Sequence, residues 1–126
     1  MYELAIAENM LKIAEEELAR HGCTKLTLLR VEVGALSGVV CESLAFGFEC
    51  LVKGTLHEGC TLDIVPIPLK LRCGACGLVF DGPGGIGGIA GAGGMGELSP
   101  CPGCGEVLGH EVLQGREMRV VWLEGE

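Results

Sequence analysis

Apolar residues near the start of the chain recur every three or four positions, which is the period of an α-helix. The pattern predicts a helix over residues 3–21 that ends near Gly22. Its apolar face consists of Leu4, Ala7, Leu11, Ala14 and Leu18, widened by Ile6, Met10 and Ile13. The intervening glutamates face water, so this helix is amphipathic and packs through one face.

Three later segments have the alternating or β-branched pattern of strands, and one more segment has a helical pattern. Residues 24–33, 61–67 and 116–123 predict the strands, and residues 41–52 predict the helix. Pro66 and Pro68 close the second strand; proline has no N–H to donate, so it fits a sheet edge or the end of a strand. This order predicts an α/β (α+β) fold, a small mixed sheet with two helices on one face.

The segment before the last strand has a different composition. Residues 70–114 contain two Cys-x-x-Cys pairs and most of the glycine. We therefore predict an α/β domain over residues 1–69 and an inserted zinc-ribbon-like module over residues 70–114. Residues 115–126 return as the final strand of the α/β domain.

Composition narrows the class of protein. The chain has 126 residues, of which 48% are hydrophobic, and a formal charge of −8. Excess negative charge disfavours nucleic acid as a partner. No apolar run is long enough to cross a membrane, and the first residues lack the pattern of a secretion signal. We expect a cytoplasmic protein, where closely spaced cysteines bind metal more often than they form disulfides.

The two cysteine pairs are the most specific feature of the sequence. Cys73 and Cys76 form one pair and Cys101 and Cys104 the other, each followed by glycine. Two residues between cysteines let both sulfurs reach one ion, and four thiolates suit zinc. Because four protein ligands leave no open position, the site is expected to be structural. Iron held as in rubredoxin and a dithiol–disulfide pair are the alternatives.

Residues 82–96 form a low-complexity segment with nine glycines. It contains two matches to the dinucleotide fingerprint G-x-G-x-x-G, but neither match follows a strand or opens a helix. Such a high glycine content produces these matches by chance. We interpret the segment as a flexible loop within the insert.

The other cysteines and the histidines form no recognisable cluster. We expect Cys23, Cys41, Cys50 and Cys60 to be buried as small apolar groups. His110 follows the second cysteine pair, and we expect an ordinary surface histidine there; a histidine that responds to the zinc chemistry is the alternative. The sequence presents no nucleophile–base arrangement and no paired carboxylates, so it does not indicate an enzyme.

Several motifs closely resemble those of the HypA/HybF hydrogenase maturation proteins. They are Glu3–Ala7, Val31–Gly38, the segment from Glu42 to Glu49, the two cysteine pairs and Gly115-Arg-Glu117. The resemblance covers essentially the whole chain. It implies a nickel-binding α/β domain with an inserted zinc domain, and a nickel chaperone for nickel–iron hydrogenase. The implied partners are a HypB-type GTPase, the hydrogenase large subunit and, in some members, urease accessory proteins.

Position 2 departs from the family pattern. The family begins Met-His-Glu, and its histidine binds nickel together with the terminal amine and nearby amides. Tyr2 replaces this histidine, whereas Met1 and Glu3 match. A phenol is a poor nickel ligand at neutral pH, so Met1 and Glu3 form a weakened site. Glu3 capping a helix is the alternative that involves no metal.

Three explanations of Tyr2 remain open at the level of sequence. The chain is a natural variant that retains some nickel binding, a variant that has lost it, or an adaptor whose partner supplies the ligand. As a whole, the resemblance implies a nickel metallochaperone with structural zinc. The alternative is a zinc-dependent scaffold in metalloenzyme assembly that holds no nickel.

Overall fold

The computed structural model describes residues 2–82 and 99–126 of the chain. Within these residues there are two helices and six strands. The helices are α1 (Tyr2–Arg20) and α2 (Cys41–Val52). The strands are β1 (Leu26–Gly34), β2 (Thr61–Ile67), β3 (Lys70–Arg72), β4 (Val79–Asp81), β5 (Glu111–Gln114) and β6 (Met118–Gly125).

Both predicted helices and all three predicted strands are present, with ends that differ by one or two residues at most. The predicted fold class, two helices with small mixed sheets and a zinc-ribbon-like cysteine site, is confirmed. The short strands β3, β4 and β5 were not predicted. Each has three or four residues, too few for alternation to be recognised.

The first sheet has the strand order β2-β1-β6, so β2 with its proline lies at an edge, one of the two positions that proline fits. Hydrogen bonds from Gly34 N–H to the Glu117 carbonyl and from Thr24 N–H to the Glu126 carbonyl make β1 and β6 antiparallel. The guanidinium of Arg30 on β1 donates to Asp63 on β2. Helix α2 connects β1 to its neighbour β2. A helical crossover of this kind is the connection that two parallel neighbouring strands require.

The described chain divides into two compact units. Unit 1 comprises Met1–Glu32, Val39–Val65 and Arg119–Glu126, and unit 2 comprises Val33–Gly38 and Pro66–Met118. Residues 70–114 fall within unit 2. The predicted domain boundaries after residues 69 and 114 stay predictions.

Unit 1 buries one face of each helix. The buried side chains of its helices and of β1 are Ala7, Met10, Ala14, Leu18, Leu26, Leu29, Val31, Leu44, Phe48 and Val52. The prediction that Ile13 widens the apolar face of α1 was wrong, because its side chain is 53% exposed. Ile13 lies 100° around the helix from buried Ala14, outside the narrow stripe that packs.

Unit 2 has a small core of its own. Strand β3 is the centre of an antiparallel sheet with the order β4-β3-β5, in which Leu71 lies opposite Phe80 and Val112. Leu69 and Leu71 are fully buried, and their neighbours are Ala35, Leu36, Phe80 and Val112. Among the described residues of unit 2 this core is small, and a small core stabilises a module only modestly. A cross-link between its segments would add stability.

A buried histidine joins three elements of unit 1. His57 is 6% exposed, and its Nδ1 accepts the N–H of Leu26 at 2.9 Å. Since Nδ1 accepts, Nε2 carries the proton and donates to the carboxylate of Glu15 at 3.1 Å. The imidazole therefore connects α1, the first residue of β1 and the loop before β2.

We expect His57→Phe to destabilise unit 1 by about 1–3 kcal/mol, because it leaves the buried N–H of Leu26 without a partner. Urea unfolding followed by far-UV circular dichroism measures the change. The matched control is His21→Phe, since His21 is exposed and pairs only with Glu17 on the same turn. A His57→Phe protein as stable as this control would contradict the assignment.

Candidate metal centre

The first cysteine pair lies in the turn that joins β3 to β4. Cys73 follows β3 directly, and its N–H donates to the carbonyl of Leu78 at 2.8 Å. The N–H of Gly77 donates back to the Cys73 carbonyl at 3.1 Å. Gly77 has a φ of +78°, which a residue with a Cβ rarely adopts. This turn places both sulfurs on its inner side.

The second cysteine pair repeats the same backbone arrangement ahead of β5. The N–H of Cys101 donates to the Glu106 carbonyl at 2.9 Å, and the N–H of Gly105 donates to the Cys101 carbonyl at 2.8 Å. The Glu106 carboxylate accepts the N–H groups of Leu108 and Val107, which lower its pKa. Because β5 pairs with β3, the two turns approach each other.

The four cysteine sulfurs form one cluster. The Sγ atoms of Cys73 and Cys104 are 3.5 Å apart, those of Cys76 and Cys101 are 3.6 Å apart, and all four lie within 4.8 Å of one another. A tetrahedron with Zn–S bonds of about 2.3 Å has sulfurs about 3.8 Å apart. The spacing therefore fits a structural zinc site, with one thiolate at each corner.

Backbone amides point at the sulfurs of both cysteine pairs. The N–H groups of Ala75 and Cys76 lie 3.3 and 3.4 Å from the Sγ of Cys73, and the N–H of Gly103 lies 3.3 Å from that of Cys101. These two cysteines are buried, each 3% exposed. Amide donors stabilise a buried thiolate, so the cluster has the surroundings that metal-bound sulfur requires.

The thiols of the cluster also influence one another. The N–H of Cys76, with that of Ala75 and the thiol of Cys104, lowers the pKa of Cys73 to about 6. The N–H of Glu106 also lowers the pKa of Cys104. The Cys73 sulfur and burial outweigh this effect, and they raise the pKa of Cys104 to about 12. Ionising all four thiols places like charges side by side, and a divalent ion removes that conflict.

His110 was wrongly predicted to be an ordinary surface residue. It is half-buried one residue before β5, and both of its ring nitrogens have partners in unit 2. The sequence signal was its position six residues after the second cysteine pair, which does not specify a contact.

Tyr2 and Glu3, at the nickel site implied by the resemblance, are the first two residues of α1. Tyr2 is 61% exposed. The Glu3 carboxylate accepts the N–H of Val40, the N-cap of α2, at 3.4 Å. Met1 lies outside the described residues. Glu3 therefore accepts a hydrogen bond at the start of α2. The alternative without a metal was that it caps α1, the helix in which it lies.

The prediction that the other four cysteines are buried was wrong. Cys50 is exposed, and Cys23, Cys41 and Cys60 are half-buried. Cys50 lies 200° around α2 from buried Phe48, so helix geometry turns it outward. Within the described part of the chain, Cys73, Cys76, Cys101 and Cys104 are the one group of potential ligands close enough to share an ion.

Two further predictions concern the insert and the membrane. The predicted flexible loop over residues 82–96 lies, apart from Gly82, outside the described residues. Neither helix in the described part of the chain has the length and apolar content needed to cross a bilayer.

Known proteins match the chain over its length. A family model described as "Hydrogenase/urease nickel incorporation, metallochaperone, hypA" matches residues 1–125. The hydrogenase maturation factor HypA of Solidesulfovibrio magneticus is 38% identical over 124 residues, 98% of each chain. That of Roseiflexus sp. is 34% identical over 126 residues, which are 100% of this chain and 93% of the relative.

A solved structure has the same fold. The solution structure of the Ni metallochaperone HypA from Helicobacter pylori superposes with a TM-score of 0.59 at 23% identity and covers 98% of this chain and 96% of that one. At this identity the likeness concerns the fold alone. The family match is the stronger result, and it confirms the resemblance found in the motifs: the chain belongs to the HypA family of nickel-incorporation metallochaperones.

Proposed function

We propose that this protein is a nickel metallochaperone for the maturation of nickel–iron hydrogenase, with a structural zinc ion held by Cys73, Cys76, Cys101 and Cys104. The family match over residues 1–125 supports the nickel role. The four-sulfur cluster is the observation that carries the zinc assignment. In this proposal the protein catalyses no reaction, because its task is to hold and transfer an ion.

Zinc in the cluster would act as a cross-link. The two cysteine pairs are joined by the β3–β5 pairing and by few buried side chains. An ion bound by all four thiolates stabilises such a module, and it has no open position for a substrate. The metal that is transferred is therefore nickel, bound elsewhere on the chain.

We place the nickel site at Met1 and Glu3. A terminal amine, backbone amides and a carboxylate are ligands for Ni²⁺, although weaker as a set without imidazole. Glu3 already accepts an N–H from Val40, which further limits its availability as a ligand. Transfer then occurs by ligand exchange, in which a partner's groups replace these weak ligands during a transient complex.

The proposed partners follow from the family and from charge. They are a HypB-type GTPase, the hydrogenase large subunit and urease accessory proteins, all in the cytoplasm. The net charge of −8 favours association with basic surfaces and disfavours nucleic acid.

Nickel titration of the wild type beside Tyr2→His tests the nickel role. We expect wild type to bind nickel weakly at a one-to-one ratio, and Tyr2→His to lower the Kd by about tenfold or more, a change of at least 1.4 kcal/mol. Isothermal titration calorimetry measures both. Tyr2→Phe is the matched control, since it removes the phenol without adding imidazole.

The same titration distinguishes the scaffold alternative. If neither wild type nor Tyr2→His binds nickel, while zinc remains at one ion per chain, the protein is a zinc-dependent adaptor. Metal analysis of the purified protein, with zinc and nickel counted separately, measures the zinc content per chain. A chain without zinc would contradict the structural role of the cluster.

A further inference from the structure

A histidine outside the ligand set touches the segments that carry both cysteine pairs. The Nδ1 of His110 accepts the N–H of Gly74 at 3.4 Å, and its Nε2 donates to the carbonyl of Ser99 at 2.9 Å. Gly74 lies inside the first pair, directly after Cys73. Ser99 lies two residues before Cys101. One imidazole therefore bridges two segments that are far apart in sequence.

The ring itself is held in place by packing. It meets Phe80 edge to face, with ring centroids 5.2 Å apart and planes at 84°. Phe80 lies opposite Leu71 in the sheet and packs against the small core of unit 2. The orientation of the imidazole is thus set through Phe80 by the small core of unit 2.

The backbone beside His110 also touches the first cysteine pair. A Cβ placed on Gly74 would overlap the carbonyl oxygen of Gly109, so these two chain segments are in direct contact. The contact requires glycine at position 74 and brings the Gly74 N–H within reach of the ring. The N–H groups of Ala75 and Cys76 already face the Cys73 sulfur. The imidazole thus accepts a hydrogen bond from the remaining N–H of this part of the turn, that of Gly74.

We propose that His110 is a positioning residue of the metal centre, which holds the two cysteine pairs at the separation that one ion requires. This inference rests on the proposed zinc site. A site that is preformed loses less conformational freedom when it binds an ion, and it releases the ion more slowly. The ring of His110 forms its hydrogen bonds with the backbone of Gly74 and Ser99, so it acts on the affinity and release rate of the metal and leaves the ligand set unchanged.

Cobalt is a suitable probe because Co²⁺ in a four-thiolate site has a distinctive visible spectrum. The experiment loads the full chain with Co²⁺ and follows transfer of the ion to excess EDTA. His110→Phe keeps an aromatic ring beside Phe80 but removes both hydrogen bonds. His110→Gln keeps a donor that reaches the Ser99 carbonyl. His21→Phe, at an exposed site in unit 1, is the matched control.

We expect His110→Phe to release cobalt at least about tenfold faster than wild type, the lower end of the effect of outer-shell residues on metal sites. His110→Gln is expected to fall between the two, and His21→Phe to match wild type. The cobalt spectrum should be the same in all four proteins. If His110→Phe does not fold, a faster release from His110→Gln than from His21→Phe decides in favour of the proposal.

Three other outcomes would contradict either the positioning role of His110 or the metal centre. Release from both His110 variants within about twofold of wild type would mean that His110 has no positioning role, although the zinc site stands. A changed spectrum would mean that His110 determines which ligands bind, which also contradicts the proposal. A wild-type chain that takes up neither cobalt nor zinc would overturn the metal centre itself.

Discussion

Cys101→Ala is expected to abolish zinc binding and to unfold unit 2 while the helices of unit 1 remain. Cys101 is a buried member of the four-sulfur cluster and accepts the N–H of Gly103. Zinc contributes about 10 kcal/mol or more to the folding of small zinc modules. The core around Leu69 and Leu71 is too small to replace that contribution.

Zinc analysis of the purified variant and circular dichroism together measure this effect. The zinc content should fall from one ion per chain to none, and the helical signal of α1 and α2 should persist. Cys50→Ala is the matched control, because it removes an exposed thiol outside the cluster. EDTA treatment of wild type should reproduce the result. A Cys101→Ala protein that keeps a full complement of zinc would refute the proposed ligand set.

Gly34→Ala is expected to destabilise the protein by about 3 kcal/mol, at the upper end of the usual cost of overpacking. Gly34 ends β1, and its N–H donates to the Glu117 carbonyl at 2.6 Å. A Cβ at this position would overlap the carbonyl group of Gly115. The obstacle is backbone, held in turn by a hydrogen bond from Leu36 N–H, so it cannot rotate away as a side chain could.

Gly47→Ala is the matched control for this substitution. Gly47 lies inside α2, and a Cβ there would be 3.5 Å from the nearest atom of Leu4, an ordinary contact. Since alanine favours a helix over glycine, this change should stabilise the protein by up to about 1 kcal/mol. Thermal unfolding of both variants measures the difference. Equal melting temperatures would show that the approach of Gly34 to Gly115 is not a tight one.

The two helices and the main strands could be predicted because they depend on neighbouring residues. Side chains at spacings of three and four identify the buried stripe of α1, whereas the proline of β2 fits either a sheet edge or a strand end, and the strand order was needed to decide. Ile13 shows the limit of this reasoning. Periodicity identifies apolar positions, but the width of the face that packs depends on the partner surface.

The grouping of each cysteine pair was also predictable, because a Cys-x-x-Cys turn brings its own two sulfurs together through local geometry. The family could be recognised from motifs such as Val31–Gly38. In contrast, the contacts of His57 and His110 join residues between 11 and 42 positions apart. No local pattern marks such residues, and single histidines are common on surfaces.

The sequence by itself determined the helices, the main strands, the two cysteine pairs and the family. Each follows from short-range periodicity, turn chemistry or recognisable motifs. Only the tertiary structure decided that the Cys73 and Cys104 sulfurs lie side by side, that Glu3 reaches the start of the second helix, and that Gly34 meets Gly115. These contacts arise when distant segments pack, and packing depends on the whole chain at once.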